Sequence, residues 1–239
     1  MALVFDIETI GEDFDSLDQA TQDSLTRWIK RESGDDESKY NVLLADVKNG
    51  LSFSPLTGEI ITIGVYDTEL NKGVVYFQAP DININEHTKE NFTFKPQTEK
   101  EMLVNFWKGA TNYKEFVSFN GRSFDAPFLM LRSMVHEVKP SMNMMKNRYL
   151  NKYFDNYKDN IKHIDLLDQL SFYGAVRRKG SLHLFCRALG IKSPKSFGIT
   201  GDDVGRLFKE GEYKKIAEYN SWDLIATAEL YEKWRDYIG

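Results

Sequence analysis

An apolar segment near the N-terminus, Ala2 to Ile7, carries two acids at alternating positions. Asp6 lies inside the segment, and Glu8 follows two positions later. Side chains alternate between the two faces of a β-strand, so this spacing predicts that both carboxylates lie on the same face. Two carboxylates on one face of a buried strand repel each other and lose hydration, which is tolerable when a cation lies between them. The segment therefore predicts a buried strand beside a cation-binding site.

Composition narrows the class of protein that can carry this strand. The chain has 239 residues, 41% of them hydrophobic and 28% charged, which predicts a single domain over residues 1–239. The single cysteine, Cys186, excludes an intrachain disulfide and a multi-cysteine zinc site. The apolar runs are far shorter than the roughly 20 residues of a membrane span, and the N-terminus lacks the order of a signal peptide. We expect a cytoplasmic protein that does not associate with membranes.

Charge is distributed unevenly along the chain. The net charge of −5 argues against a nucleic-acid partner, but residues 120–200 contain fourteen Lys and Arg against six Asp and Glu. Such a basic region suits a phosphate backbone, although a solvated charged face explains it equally well. Residues 11–39 contain nine acids and four bases, and we interpret about 11–50 as an acidic insertion. It could gate a cleft, exclude duplex DNA or bind a partner protein.

Periodicity predicts a chain of strands followed mainly by helices, which is typical of α/β or α+β domains. The predicted strands are residues 2–7, 60–66, 73–79, 115–119 and 162–165. Thr98 and Glu101 form a predicted capping box at the start of one helix. In the acidic insertion, Ser16 predicts a similar helix start, and residues 32–40 predict an exposed loop.

Acids also occur in two later segments. Asp125 follows the predicted strand 115–119, at the start of the next helix. Tyr219 and Asp223 are four residues apart on the long final helix, so they share one helix face. If that face lies against the first strand, four carboxylates converge, and they suit Mg²⁺ or Mn²⁺. The alternative interpretations are that Asp125 is a helix-capping acid and that Tyr219 is a packing residue.

Three motifs follow one another in a set order. They are Asp6-x-Glu8, Asn120-x-x-x-Phe124-Asp125 and Tyr219-x-x-x-Asp223. Each is common alone, but together they resemble the motifs of the DEDDy 3′–5′ exonucleases of the ribonuclease H-like superfamily. The chain is most similar to the proofreading domain of family B DNA polymerases and to stand-alone predicted exonucleases related to it. Position 218 is Glu rather than His, which favours the tyrosine variant over the DEDDh group.

The resemblance implies a fold and a set of roles. The fold is a mixed five-stranded sheet flanked by helices, with its first three strands antiparallel. Asp6 would bridge two Mg²⁺ or Mn²⁺ ions, Glu8 and Asp223 would complete the site for the attacking water, Asp125 would serve the second ion, and Tyr219 would orient the water. Thr9 would lie near the 3′-terminal nucleotide, and Asn120 and Phe124 would line the cleft.

Basic loops and remaining polar residues complete the prediction. Candidate phosphate contacts, which could equally be solvated surface charges, are Arg122, Arg177, Arg178, Lys179, Lys192 and Lys195. Asp165 matches no motif position, so we interpret it as structural, and we interpret His163 and His183 in the same way.

The predicted function is metal-dependent 3′–5′ hydrolysis of single-stranded nucleic acid, with DNA favoured, to nucleoside 5′-monophosphates. One alternative is an exoribonuclease or oligoribonuclease acting on RNA ends. Another is a non-catalytic nucleic-acid-binding module on the same fold. Four mutually repelling acids argue against the binding module, because it has no need to keep them together.

Overall fold

Seven strands form one mixed sheet in the computed structural model, which describes residues 1–80, 82–146, 148, 161–178 and 180–239. The strands are β1 (Ala2–Gly11), β2 (Gly58–Asp67), β3 (Lys72–Phe77), β4 (His87–Lys89), β5 (Phe92–Pro96), β6 (Glu115–Ser118) and β7 (Lys162–Asp165). Their order across the sheet is β4-β5-β3-β2-β1-β6-β7. This order places β1 in the interior of the sheet, with β2 on one side and β6 on the other.

The pairing of the strands confirms the predicted fold class, a mixed α/β sheet flanked by helices. β1, β2 and β3 are antiparallel in sequence, as expected, while β6 and β7 run parallel to β1. The predicted number of five strands is wrong, because β5 also pairs with β3 and β4 forms the edge beyond it. β4 has only three residues and no apolar alternation, and β5 ends in a proline, so neither gives a strong strand pattern.

Helices cover both faces of the sheet. They are α1 (Gln19–Ser33), α2 (Glu37–Gly50), α3 (Glu99–Ala110), α4 (Asp125–Val135), α5 (Leu166–Leu170), α6 (Leu182–Leu189), α7 (Val204–Lys209) and α8 (Tyr213–Tyr237). The Thr98–Glu101 capping box at the start of α3 is present, as predicted. Among the residues that the structure describes, none of these helices combines the length and the apolar character needed to cross a membrane.

The alternation along β1 divides the apolar core into two clusters. Leu3, Phe5 and Ile7 pack on one face of the sheet, in the cluster that includes residues of α3 and α4. Ala2 and Val4 pack on the other face, in the cluster that includes residues of α8. The even-numbered positions of β1 therefore face α8, and Asp6 and Glu8 continue this series.

Residues 12–57, between β1 and β2, form a helical hairpin rather than the predicted helix and loop. α1 begins at Gln19 because the Asp18 carboxylate accepts a hydrogen bond from Thr21 N, so the helix start predicted at Ser16 is wrong. The loop predicted over 32–40 is also wrong, because Asp36 caps α2 in the same way through Lys39 N. Asp18 and Asp36, two of the nine acids in residues 11–39, are thus helix caps. We call residues 12–57 the hairpin segment.

A buried ionic cluster ties the hairpin segment to the sheet and to two helices. Glu99, only 4% exposed, accepts hydrogen bonds from Ile60 N on β2 (2.9 Å) and from Arg132 Nε (2.9 Å) and Nη2 (2.7 Å). His136 Nε2 lies 2.6 Å from Glu99 Oε2, and Arg132 Nη1 donates to Pro55 O at 3.4 Å. Burial alone would raise the pKa of Glu99, but these hydrogen bonds outweigh it and keep that pKa below its ordinary value.

Replacing Glu99 should show how much the fold depends on this cluster. We expect Glu99→Ala to lower the free energy of unfolding by about 3 kcal/mol, because Arg132 is left buried without its partner. Urea denaturation followed by circular dichroism measures the change. The control is Glu212→Ala, which removes an exposed pair with Lys215 and should cost less than about 1 kcal/mol. Equal losses in both variants would contradict a structural role for Glu99.

Candidate active site

Three carboxylates meet where α8 crosses the C-terminal half of β1. Asp6 and Glu8 extend from β1 and Asp223 extends from α8, and one oxygen of each lies within 4.8 Å of the others. All three side chains are half-buried, so an ion in solvent can reach their oxygens. The structure thus brings together three of the four predicted carboxylates.

A glycine on β2 allows α8 to approach this closely. Gly64 pairs with Asp6 in the antiparallel ladder. A Cβ at Gly64 would lie 1.8 Å from Asn220 Oδ1 and 2.6 Å from Leu224 Cδ1, both on α8. Any larger residue would push the helix, and Asp223 with it, away from β1.

Asn220 fixes the orientation of Asp6. Its Nδ2 donates a hydrogen bond of 2.8 Å to Asp6 Oδ2, and its side chain is fully buried. Its Oδ1 is buried without a hydrogen-bond partner among the described residues. Asn220 was not predicted from the sequence, where the only available signal was a polar residue next to Tyr219 on the buried face of the final helix.

Asp125 lies beside the three-carboxylate cluster and is partly engaged by the backbone. β6 pairs with β1 only as far as Val4, so the next amide groups along that edge of β1 need another acceptor. Asp125 Oδ1 supplies one, accepting a hydrogen bond of 3.0 Å from Ile7 N. The side chain is buried at the start of α4, and its charge acts on Asp6. Asp125 is thus both a first-turn helix acid and a neighbour of the cluster.

Burial and mutual repulsion disfavour the charged forms of these acids. Loss of hydration is the largest cause, and the charges of neighbouring carboxylates add to it, so the pKa values of Asp6 and Glu8 lie well above their ordinary range. Burial likewise raises the pKa of Asp125 and of Asp223 to about 7. Lys195, whose charge lowers the pKa of Asp223, offsets only part of this. Oxygen donors held together at such cost match the ligands that Mg²⁺ and Mn²⁺ prefer.

Tyr219 lies one helical turn before Asp223 and faces the same cluster. A hydrogen bond from its hydroxyl lowers the pKa of Asp223. Burial, followed by the charges of Asp223, Glu8 and Asp6, raises the pKa of Tyr219 itself, so its hydroxyl remains protonated. The ring also packs in the apolar cluster that contains Ile61 and Ile216, as the packing interpretation expects.

Asp165 shapes the loop that leads to Asp125. Its carboxylate accepts hydrogen bonds from Asn120 N and Arg122 N, both at 2.9 Å, and from Leu167 N at the start of α5. Asn120 has a φ of 65°, and this left-handed backbone is held by the first of these bonds. The structural interpretation of Asp165 agrees with these contacts. The Asn120 side chain is half-buried at the same turn.

Arg122 does not fit its predicted role as a phosphate contact. It is 7% exposed, and its guanidinium donates to the backbone carbonyls of Met145 (3.1 Å) and Lys146 (2.8 Å). A buried guanidinium engaged in this way is not available to a phosphate. Arg178 is exposed, and Lys179 lies outside the described residues.

The two histidines predicted to be structural make local hydrogen bonds. His163 is buried, with Nε2 2.8 Å from Ser118 Oγ, and burial lowers its pKa to about 3, so the ring is neutral. His183 Nδ1 lies 2.8 Å from Ser193 Oγ, which links α6 to the turn that carries Lys195.

Thr9 and Phe124 lie at the edge of the site next to the hairpin segment. The Thr9 hydroxyl donates a hydrogen bond of 2.7 Å to Ser52 O. The Phe124 ring lies 5.0 Å from the ring of Phe128 and 6.3 Å from that of Phe53. The hairpin segment therefore borders this edge through Ser52 and Phe53.

An aromatic stack includes Trp222, the residue directly before Asp223 on α8. The rings of Phe197 and Trp222 are parallel at 3.9 Å, and Lys192 Nζ lies 4.3 Å above the Phe197 ring. Lys192 thus interacts with an aromatic face. Phe197 and Trp222 were not predicted, because nothing in the sequence links a residue of the basic turn to the final helix.

Removing the Asn220 side chain should disturb Asp6 specifically. We expect Asn220→Ala to weaken Mn²⁺ binding about 10- to 100-fold, the usual effect of losing a group that orients a ligand. Calorimetric titration with Mn²⁺ measures it. Ser221→Ala is the matched control, because Ser221 is also buried and its hydroxyl donates to Glu218 O in its own helix. An unchanged Mn²⁺ affinity in Asn220→Ala would show that Asp6 needs no such support.

Comparison with known proteins adds evidence from the later part of the chain. A family model described as a predicted 3′–5′ exonuclease related to the exonuclease domain of PolB matches residues 74–239. The matched region contains Asp125, Tyr219 and Asp223, whereas Asp6 and Glu8 precede it. A search of curated proteins found no significant match.

Proposed function

The chain belongs to the family of predicted 3′–5′ exonucleases related to the exonuclease domain of PolB, and on this basis we propose that it removes nucleotides from single-stranded 3′ ends. The proposed substrate is DNA in preference to RNA, and the products are nucleoside 5′-monophosphates. Divalent metal ions, Mg²⁺ or Mn²⁺, are the proposed cofactors.

The observation that carries the proposal is the meeting of Asp6 and Glu8 with Asp223. The first two acids lie outside the family match and the third lies inside it, so the geometry of the cluster supports the assignment independently. Their oxygens lie close together despite their repulsion, which is the arrangement that a divalent cation stabilises.

Each group of the site has a proposed part in the hydrolysis. Two bound Mg²⁺ or Mn²⁺ ions would lower the pKa of a water molecule and offset the charge of the phosphate. Asp6, Glu8 and Asp223 would hold the ions, with Asn220 keeping Asp6 in orientation. Asp125 would contribute its Oδ2, because Oδ1 is engaged by Ile7 N.

Tyr219 is proposed to orient the attacking water through its hydroxyl. Because its pKa is raised, the phenol stays protonated near neutral pH, so it is a hydrogen-bonding group and not the general base. The water would give a proton to solvent, and its oxygen would bond to the phosphorus of the last phosphodiester as the bond from that phosphorus to the 3′ oxygen breaks. The leaving 3′ oxygen would take a proton from solvent. The strand leaves with a free 3′ hydroxyl, and the removed nucleotide carries the phosphate at its 5′ position.

Oligonucleotides with free and blocked 3′ ends test this proposal. A 5′-labelled single strand with a free 3′ hydroxyl should shorten stepwise in Mg²⁺ or Mn²⁺, and the same strand with a blocked 3′ end should persist. A matched RNA strand should be degraded more slowly. Degradation of neither DNA strand, or of both at one rate, would contradict 3′–5′ exonuclease activity.

A further inference from the structure

We propose that Phe53, in the hairpin segment, is a substrate-positioning residue whose ring stacks on the base of the 3′-terminal nucleotide. This inference rests on the proposed exonuclease function. Phe53 lies outside the region that the family model matches, so nothing in the family assignment bears on it.

The backbone around Phe53 is fixed against the end of β1. Leu51, Ser52 and Phe53 form a 3₁₀ turn. Leu51 is buried, and a Cβ at Gly11 would lie 2.7 Å from the Cβ of Leu51, so the turn packs directly on the strand. The Thr9 hydroxyl donates to Ser52 O at 2.7 Å, and the Thr57 hydroxyl donates to Leu51 O at 2.9 Å. These contacts hold the turn against Thr9 and Gly11, the part of β1 that directly follows Glu8.

The Phe53 side chain is exposed, whereas Leu51, two residues before it in the same turn, is buried. Phe53 is 69% exposed, and its ring meets the edge of the Phe124 ring at 6.3 Å and 62°. Phe124 directly precedes Asp125, which accepts the hydrogen bond from Ile7 N. A continuous series of contacts thus runs from Phe53 to the strand that carries Asp6 and Glu8.

The charges around Phe53 favour a base over a phosphate as its ligand. Residues 51–57 contain no charged side chain. Glu12 and Asp13 at the start of the hairpin segment are exposed acids and would repel a phosphate. Stacking of an aromatic side chain on a base strengthens binding by roughly 5- to 150-fold per base and tolerates any base sequence. The chemistry recognised here is therefore the flat face of a terminal nucleobase.

Kinetics with three variants test the stacking role. Phe53→Ala should lower kcat/KM for a single-stranded DNA oligonucleotide about tenfold, mainly through KM. Phe53→Trp keeps an aromatic face and should retain the wild-type value. The control Leu70→Ala removes an apolar side chain that is 62% exposed, on the turn after β2, at the opposite end of β1. Equal kcat/KM in wild type and Phe53→Ala would overturn the proposal.

A substrate that lacks its 3′-terminal base separates stacking from other effects. Wild type should degrade this abasic strand as slowly as Phe53→Ala does, and Phe53→Ala should treat the abasic and intact strands alike. If Phe53→Ala lost the same factor on both strands, Phe53 would act on something other than the base, such as a protein partner or the fold. That result would overturn the stacking role.

Binding without hydrolysis distinguishes failure of this proposal from failure of the proposed function. An oligonucleotide with 2-aminopurine at its 3′ end should lose fluorescence on binding wild type and retain it with Phe53→Ala. A protein that quenches the probe but cleaves nothing would contradict the exonuclease function and support the stacking role. A protein that cleaves, with quenching unchanged by Phe53→Ala, would contradict the stacking role alone, and absence of binding would contradict both.

Discussion

Asp223→Asn should lower the exonuclease rate by about 1,000-fold, the order of effect expected when cation stabilisation worth several kcal/mol is lost. Asparagine keeps the size of the side chain and can still accept a hydrogen bond from Tyr219, so only the charge is removed. Digestion of a 5′-labelled single strand measures the rate.

The same variant should be at least as stable as wild type when no divalent ion is present. Neutralising one acid in a cluster of mutually repelling carboxylates removes an unfavourable interaction of the folded state. Thermal unfolding in a chelator measures this. Asp236→Asn, at an exposed position near the end of α8, is the control and should change neither rate nor stability. Full activity in Asp223→Asn would contradict its assignment as an ion ligand.

The stability of the protein in a chelator should fall as the pH rises from about 5 to about 8. Burial raises the pKa of Asp125 and of Asp223 from 3.8 to about 7. Between these values the unfolded acids have lost their protons while the folded acids keep theirs. The unfolded state then binds fewer protons, so a higher pH favours unfolding, until the decline levels off above the folded pKa. One such group contributes about 4 kcal/mol over the whole interval between the two pKa values, of which about 3 kcal/mol falls above pH 5.

Urea denaturation at the two pH values measures this decline. His163, whose burial lowers its pKa from 6.5 to about 3, acts in the opposite direction up to about pH 6.5, so the informative comparison is wild type against Asp223→Asn. The variant should decline less. Added Mg²⁺ or Mn²⁺ should raise the free energy of unfolding of the wild-type protein at the higher pH, because a cation favours the ionised acids. An equal pH dependence in both proteins, or no effect of the ions, would contradict a carboxylate cluster of this kind.

The parts of the fold that the sequence predicts are those with strong local patterns. The alternation of Ala2 to Ile7 identifies β1, and Thr98 with Glu101 identifies the start of α3, because both patterns act over a few residues. β4 and β5 were missed because their pairing depends on β3. The loop predicted over 32–40 is wrong because acids occur both in solvated loops and at helix N-caps.

The contacts that assemble the site join residues distant in the chain. Asn220 and Asp6 are 214 positions apart, and no local pattern indicates that one orients the other. Arg122 is a basic residue in a basic segment, which is typical of phosphate contacts. Its guanidinium instead donates hydrogen bonds to the carbonyls of Met145 and Lys146. Phe53 gave no signal, because its significance depends on the Phe124 ring beside it. The order of the motifs predicts the acids. The groups that hydrogen-bond to them, such as Asn220 and Ile7 N, are brought to them by the tertiary structure.

Anomalous diffraction from a crystal soaked in Mn²⁺ and a nucleoside 5′-monophosphate tests the central claim most directly. The claim is that Asp6, Glu8 and Asp223 bind catalytic divalent cations. We predict manganese coordinated by oxygens of these three side chains, with the phosphate of the nucleotide beside it. Crystals with no manganese at the cluster, or with manganese only at other acids, would contradict the claim.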